Sequence, residues 1–212
     1  MTQRLLRGRL LTFHREPQND EDTSAYTYLE DGALLIRDGI IQDTGPFSAI
    51  SAQAGDVPVT DHRPHLMMAG FIDTHIHFPQ VQVIASWGAQ LLDWLNTYTF
   101  PEEARFTDTG HATEAARVYF DEQLRHGVTC AASFCTIHPG SVDAYFTEAA
   151  RRGVRAIGGK VMMDRNALPA LLDTPQSGYD DSKALIDRWH GKGRATYAVT
   201  PRFAPTSTPG QL

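Results

Sequence analysis

Apolar positions are spaced in two different ways along this chain, and the change falls just after His62. Before it, short apolar runs are broken by turn residues, which is the punctuation of strands. Leu34-Leu35-Ile36 and Ile40-Ile41-Gln42 flank Arg37-Asp38-Gly39, and Asp-Gly between apolar runs predicts a hairpin. Residues 15–24 carry polar and turn-forming side chains and read as an exposed loop. Beyond His62, stretches of helical period alternate with runs of strand length. Helices are predicted over about 109–126, 141–152 and 181–190, closed by Gly127, Gly153 and Gly191, where a helix end favours a left-handed residue. Strands are predicted over 128–134, 154–161 and 195–200, each following a helix. With Phe71-Ile72-Asp73 leading a fourth strand, this alternation implies an α/β fold with a parallel sheet. Four such strands suit a small open sheet or half of an eight-stranded barrel, which takes roughly 250 residues when complete.

Composition narrows the partners. A net charge of −6, without a Lys/Arg cluster, argues against a surface built to neutralise phosphate backbones. Arginines are scattered through the first ten residues, so the start makes a poor signal peptide. No apolar run approaches the ~20 residues that a membrane span needs. A cytoplasmic protein without nucleic-acid or membrane partners is expected. Cys130 and Cys135 have neither the spacing of a zinc knuckle nor the number for a disulfide framework, and read as buried free thiols.

The chemistry concentrates at Asp73-Thr74-His75-Ile76-His77, where an apolar run ends. Residues i and i+2 of a strand share a face, so His75 and His77 can aim two imidazoles at one point. That is half of a metal site. Asp73 lies on the same face and could orient an imidazole or stand as a satisfied buried carboxylate. Trp94 and Tyr98 are four apart and read as packing residues in a long loop. Thr208-Pro209-Gly210-Gln211-Leu212 has a capping-box pattern that announces a helix, which reads as the mark of a truncated chain.

Gly70-Phe71-Ile72-Asp73-Thr74-His75-Ile76-His77 resembles the first-strand signature of the amidohydrolase superfamily, with Ala69 in place of the usual preceding proline. Four further stretches resemble the bacterial guanine deaminases within it: Phe78-Pro79-Gln80, residues 91–103 from Leu91-Leu92-Asp93-Trp94 to Phe100-Pro101-Glu102-Glu103, residues 159–166 from Gly159-Lys160 to Arg165-Asn166, and residues 200–207 around Pro201-Arg202-Phe203. The resemblance implies a (β/α)8 TIM-like barrel with a small flanking β-sandwich. Residues 1–67 would belong to the sandwich and 68–212 to the first half of the barrel. It implies hydrolysis of guanine to xanthine and ammonia in purine catabolism, one Zn2+ held by His75 and His77, and a homodimer at full length. Two more histidines and an aspartate as ligands, and a proton-shuttling glutamate, are expected beyond Leu212, since no histidine follows His190. Substrate contacts are implied at Gln80, Arg202 and Phe203, and the residue types agree. An amide offers a donor and an acceptor, a guanidinium offers fixed planar donors, and an aromatic ring can lie on a flat base. Otherwise these three are a loop amide, a surface arginine and a core aromatic. His138 is expected to be structural or to support a ligand, and Lys160 to be a strand residue and no ligand. Two ligands hold zinc poorly, so the 212 residues alone are expected to be inactive, with exposed strand edges that favour self-association. Other readings are a related amidohydrolase on a triazine or pyrimidine, and a truncated binding protein without catalysis.

Overall fold

The computed structural model describes residues 2–88 and 90–212, which divide into two compact units, Met1–Ala69 and Gly70–Leu212. In the first unit, β1 (Gln3–Phe13) runs antiparallel to β2 (Tyr26–Arg37), which turns back into β3 (Ile40–Pro46). The turn is the expected hairpin, with Asp38 and Gly39 at φ of 47° and 81°. After α1 (Phe47–Ala54), β4 (Val59–Met67) pairs parallel to β1 and completes a sheet of order β3-β2-β1-β4. Leu5, Ala33 and Leu35 pack on Ile50 of α1 to form its core. That helix falls where the pattern suggested only strands. Phe47, Ile50 and Ala54 lie on one helical face, and this spacing draws the segment onto the sheet. The loop 15–24 is exposed apart from Asp22, which pairs with Arg15 at 2.7 Å.

The second unit is α/β. Strands β5 (Phe71–His77), β6 (Val128–Phe134), β7 (Arg155–Gly159) and β9 (Ala195–Tyr197) pair side by side and in parallel, and β8 (Val161–Met162) pairs in parallel with β10 (Thr200–Pro201). Two short helices, α2 (Leu91–Trp94) and α3 (Phe100–Ala104), joined by a π turn, lie in the long segment after β5. The crossovers are α4 (Thr109–Arg125), α5 (Pro139–Arg152) and α6 (Pro175–Trp189). Among them Phe78, Phe106, Tyr119, Phe120, Tyr145 and Phe146 form a buried aromatic cluster against Ala156 of β7 and Tyr197 of β9. Such side chains bury roughly 150–250 Å² each and dominate the core energy. Cys130 and Cys135 are free, and burial pushes the Cys135 thiol above its ordinary range. Among the described residues no helix is long and apolar enough to cross a membrane.

The three predicted helices form, and Gly127, Gly153 and Gly191 take positive φ behind them. α6 starts six residues before the expected position, because Thr174 and Ser177 cap its first turn reciprocally with Pro175 at the first helical position. The strands expected over 154–161 and 195–200 each break in two. Ala198 donates its N–H to the Gly158 carbonyl at 2.8 Å, and a Cβ on Gly159 would stand 1.9 Å from the Ala198 oxygen. The backbones touch there and both strands turn together.

Gly159→Ala is therefore expected to destabilise the protein by about 3 kcal/mol, because the obstacle is backbone and cannot yield. Gly153→Ala meets nothing within 4 Å and strains only a left-handed φ of 68°, so a loss of about 1 kcal/mol is expected. Urea denaturation of both variants beside the parent measures the difference.

Candidate metal and purine site

The candidate residues gather where the parallel strands end. β5 bulges between Asp73 and Ile76, and the Asp73 carboxylate accepts the His75 backbone N–H at 3.0 Å. The Asp73 carboxylate thus serves the main chain. The His75 and His77 rings lie 5.5 Å apart at 66°, and both rest against Phe134 at the end of β6, with His77 stacked on it at 4.6 Å. Burial, with the nearby Arg202 charge and then His75, lowers the His77 pKa to about 3. Its Nδ1 is buried with no hydrogen-bond partner. A neutral imidazole with an unengaged buried nitrogen is what a metal ligand requires. A catalytic zinc takes at least three protein ligands, and no group of three or more His, Cys, Asp or Glu suited to a metal occurs among the described residues. His75 and His77 fit as two members of a donor set that these residues do not complete.

Beyond His77 the chain enters a short turn, Phe78–Val83, pinned by the fully buried Phe78, whose N–H donates to Ser133 Oγ at 3.1 Å. The turn carries Gln80, whose Nε2 donates to Glu103 Oε1 of α3 at 3.1 Å. Arg202 follows β10 and extends its ladder, donating its backbone N–H to the Met162 carbonyl at 3.2 Å. Its guanidinium binds Glu103 with both Nη atoms, Nη2 to Oε1 at 3.0 Å and Nη1 to Oε2, and lies 5.3 Å from the Phe100 ring centroid. Arg202 is no surface arginine, since its side chain is 4% exposed and that of Glu103 is 1% exposed. Phe203, next in the chain, is half-buried on extended backbone. Gln80 and Arg202 are thus brought together through Glu103, and the Arg202 charge reaches His77. A cavity of 530 Å³ is lined by His77, Gln80, Trp94 and Tyr119 among others, and Glu103, Arg202 and Phe203 lie outside its lining.

The sequence assigned Glu103 no role of its own. Phe100-Pro101-Glu102-Glu103 carries a proline at the start of α3 and two acids in its first turn, which looks like ordinary helix N-terminal chemistry. Glu102 fills a separate role, accepting Arg105 at 2.7 Å and His111 Nε2 at 2.8 Å. Trp94 packs against the buried cluster of Leu95, Phe100 and Ile137, as its spacing suggested.

Lys160, in the break between β7 and β8, is fully buried and donates to Asp173 at 2.5 Å, while Gln211 donates to the other Asp173 oxygen at 2.5 Å. His138 sits nearby at the start of α5 with its Nε2 buried and unpaired, and burial and the Lys160 charge lower its pKa. The Thr208 hydroxyl is bound to the Asp164 carboxylate.

Comparison with known proteins places these features in context. The model of the amidohydrolase family matches residues 66–212. Guanine deaminase of Escherichia coli strain K12 is 46% identical over 213 residues, a match covering 100% of this chain and 48% of that protein. A solved E. coli guanine deaminase superposes with a TM-score of 0.93 at 47% identity, covering 98% of this chain and 49% of that one. The crystal structure of guanine deaminase from Bradyrhizobium japonicum gives a TM-score of 0.95 at 37% identity, covering 100% of this chain and 46% of that one. The chain spans about half the length of the curated relatives it matches.

Asp173→Asn leaves the buried Lys160 charge without its counter-ion, and a loss of about 3–5 kcal/mol is expected. Lys160→Met removes the charge and keeps most of the volume, so a smaller loss is expected. Urea midpoints of the two variants, measured together, rank them.

Proposed function

Because the chain belongs to the amidohydrolase family, we propose that it forms the N-terminal half of a zinc-dependent enzyme that hydrolyses guanine to xanthine and ammonia. Support comes above all from one juxtaposition: two paired imidazoles, that of His77 lowered in basicity by burial, beside an amide and a guanidinium held on one buried carboxylate. Its relatives at 46% and 43% identity are a guanine deaminase and a probable guanine deaminase. In this proposal β5 to β10 belong to the first half of a (β/α)8 barrel. Residues 1–67 contribute to a flanking β-sandwich, and residues 68–212 to the barrel.

His75 and His77 would hold the zinc, with two histidines and an aspartate supplied from beyond these 212 residues. When bound, the zinc supplies Lewis-acid activation of water near neutral pH. The chain's own residues bind and orient the base. Gln80 meets a purine edge with its amide, Arg202 directs its free N–H groups at a ring carbonyl or nitrogen, and Phe203 lies along the flat face. Burial of Glu103 and Arg202 keeps water from competing for these contacts. Proton transfer to the ring and to the leaving ammonia falls to a glutamate outside the 212 residues. The enzyme would act in the cytoplasm in purine breakdown, as a homodimer when complete.

The protein encoded by the complete reading frame that contains these residues is expected to release ammonia and xanthine from guanine, and to do so far better than from adenine, cytosine or a triazine. Chelation should abolish the activity and zinc restore it, while the 212-residue chain alone should give none. Gln80→Ala should lower kcat/KM for guanine by roughly 10- to 100-fold, the scale of one or two site hydrogen bonds. Preference for a triazine or pyrimidine in the same panel would overturn the substrate assignment.

A further inference from the structure

A carboxylate accepts hydrogen bonds and cannot donate them. The 3.1 Å contact between Gln80 and Glu103 Oε1 therefore fixes the amide, turning its NH2 towards Glu103 and its carbonyl oxygen away. The same Oε1 accepts Arg202 Nη2 at 3.0 Å, and Oε2 accepts Nη1, so the guanidinium is held by a two-pronged fork over Phe100. Glu103 and Arg202 side chains are 1% and 4% exposed, and no bulk water is at hand to replace either bond. One buried oxygen thus sets the orientation of two side chains that come from opposite ends of the unit, 23 and 99 residues away.

We propose that Glu103 is a positioning residue that sets the hydrogen-bonding polarity that Gln80 and Arg202 present to a substrate. It makes Gln80 present an acceptor, beside the donors that Arg202 has left over from the fork. A pair of groups of that polarity selects a heterocycle edge that carries a ring N–H next to a carbonyl oxygen. Guanine carries such an edge. 2-Aminopurine has the same exocyclic amine without the ring N–H and the carbonyl. This inference rests on the assignment of Gln80 and Arg202 as purine contacts. Glu103 acts through those two side chains. Replacement by glutamine puts an amide opposite Gln80 that can donate as well as accept, so Gln80 is free to invert, and the Arg202 fork loses its charge.

The test is Glu103→Gln in the protein of the complete reading frame, with dissociation constants for guanine and 2-aminopurine and a crystal structure of the variant. Guanine binding should weaken about 100-fold, the scale of a misplaced contact group, while 2-aminopurine binding should change by less than about threefold. In the crystal, the Gln80 amide or the Arg202 guanidinium should leave its wild-type position. Equal weakening for both bases would mark a merely structural role and overturn the proposal, as would a variant in which both side chains are unmoved. A wild type that binds neither base sinks the purine assignment alone. The crystal structure then decides: displaced side chains uphold Glu103 as the positioning group, and unmoved ones overturn it. Should Glu103→Gln fail to fold, Glu103→Asp serves, because it keeps the charge but is one methylene too short to reach both partners. The same selective loss and the same displacement are expected from it.

Discussion

In a parallel sheet every strand points its carboxyl end the same way, and β5, β6, β7 and β9 pair in that manner. His77 closes β5, Phe134 closes β6, Lys160 follows β7 and Tyr197 closes β9. The pairing alone thus gathers at one end residues that lie far apart in sequence. Parallel neighbours need long crossovers, and α4, α5 and α6 supply them with an aromatic core packed beneath. The close approach of Gly159 to Ala198 then breaks two strands at matching points, and β8 and β10 deliver Arg202 to the same end.

Among the described residues, charge is buried at that end and not in the aromatic core. Arg202 pairs with Glu103, and Lys160 with Asp173, with side chains between 1% and 6% exposed. Removing two charges from water costs about as much as their attraction returns, so such pairs are weak sources of stability. What they supply is direction. A guanidinium held at two points has one orientation, and a carboxylate shared with an amide settles which way that amide faces. The exposed pairs along the helices, such as Arg117 with Glu114 and Arg125 with Glu122, are solvent-screened and leave no such mark on the site.

Local chemistry was legible in the sequence. Asp38-Gly39 makes a hairpin because both residues tolerate positive φ, and Gly153 ends α5 for the same reason. The paired histidines were visible because a period of two places alternate side chains on one face, and their rings do converge. Less was legible where signals were short or competed. α1 hid among strand-like residues, and α6 began at a Thr174 cap obscured by Gly178 inside the helix. Asp73 was expected on the face of His75 by a period of two, but β5 bulges between Asp73 and Ile76, and its carboxylate serves the His75 backbone N–H.

The sequence by itself therefore determined the alternation of strand and helix, the places where helices stop, and the presence of two imidazoles on one strand. Each of these depends on a residue and its near neighbours. Only the tertiary structure decided that Arg202 is buried and that Gln80 and Arg202 meet on Glu103. It also decided that Lys160 is held by Asp173 inside the protein. An acidic residue in a first helical turn looks the same whether it faces water or a guanidinium 99 residues away. The pairing of strands settles the difference, since it fixes which distant side chains lose water together.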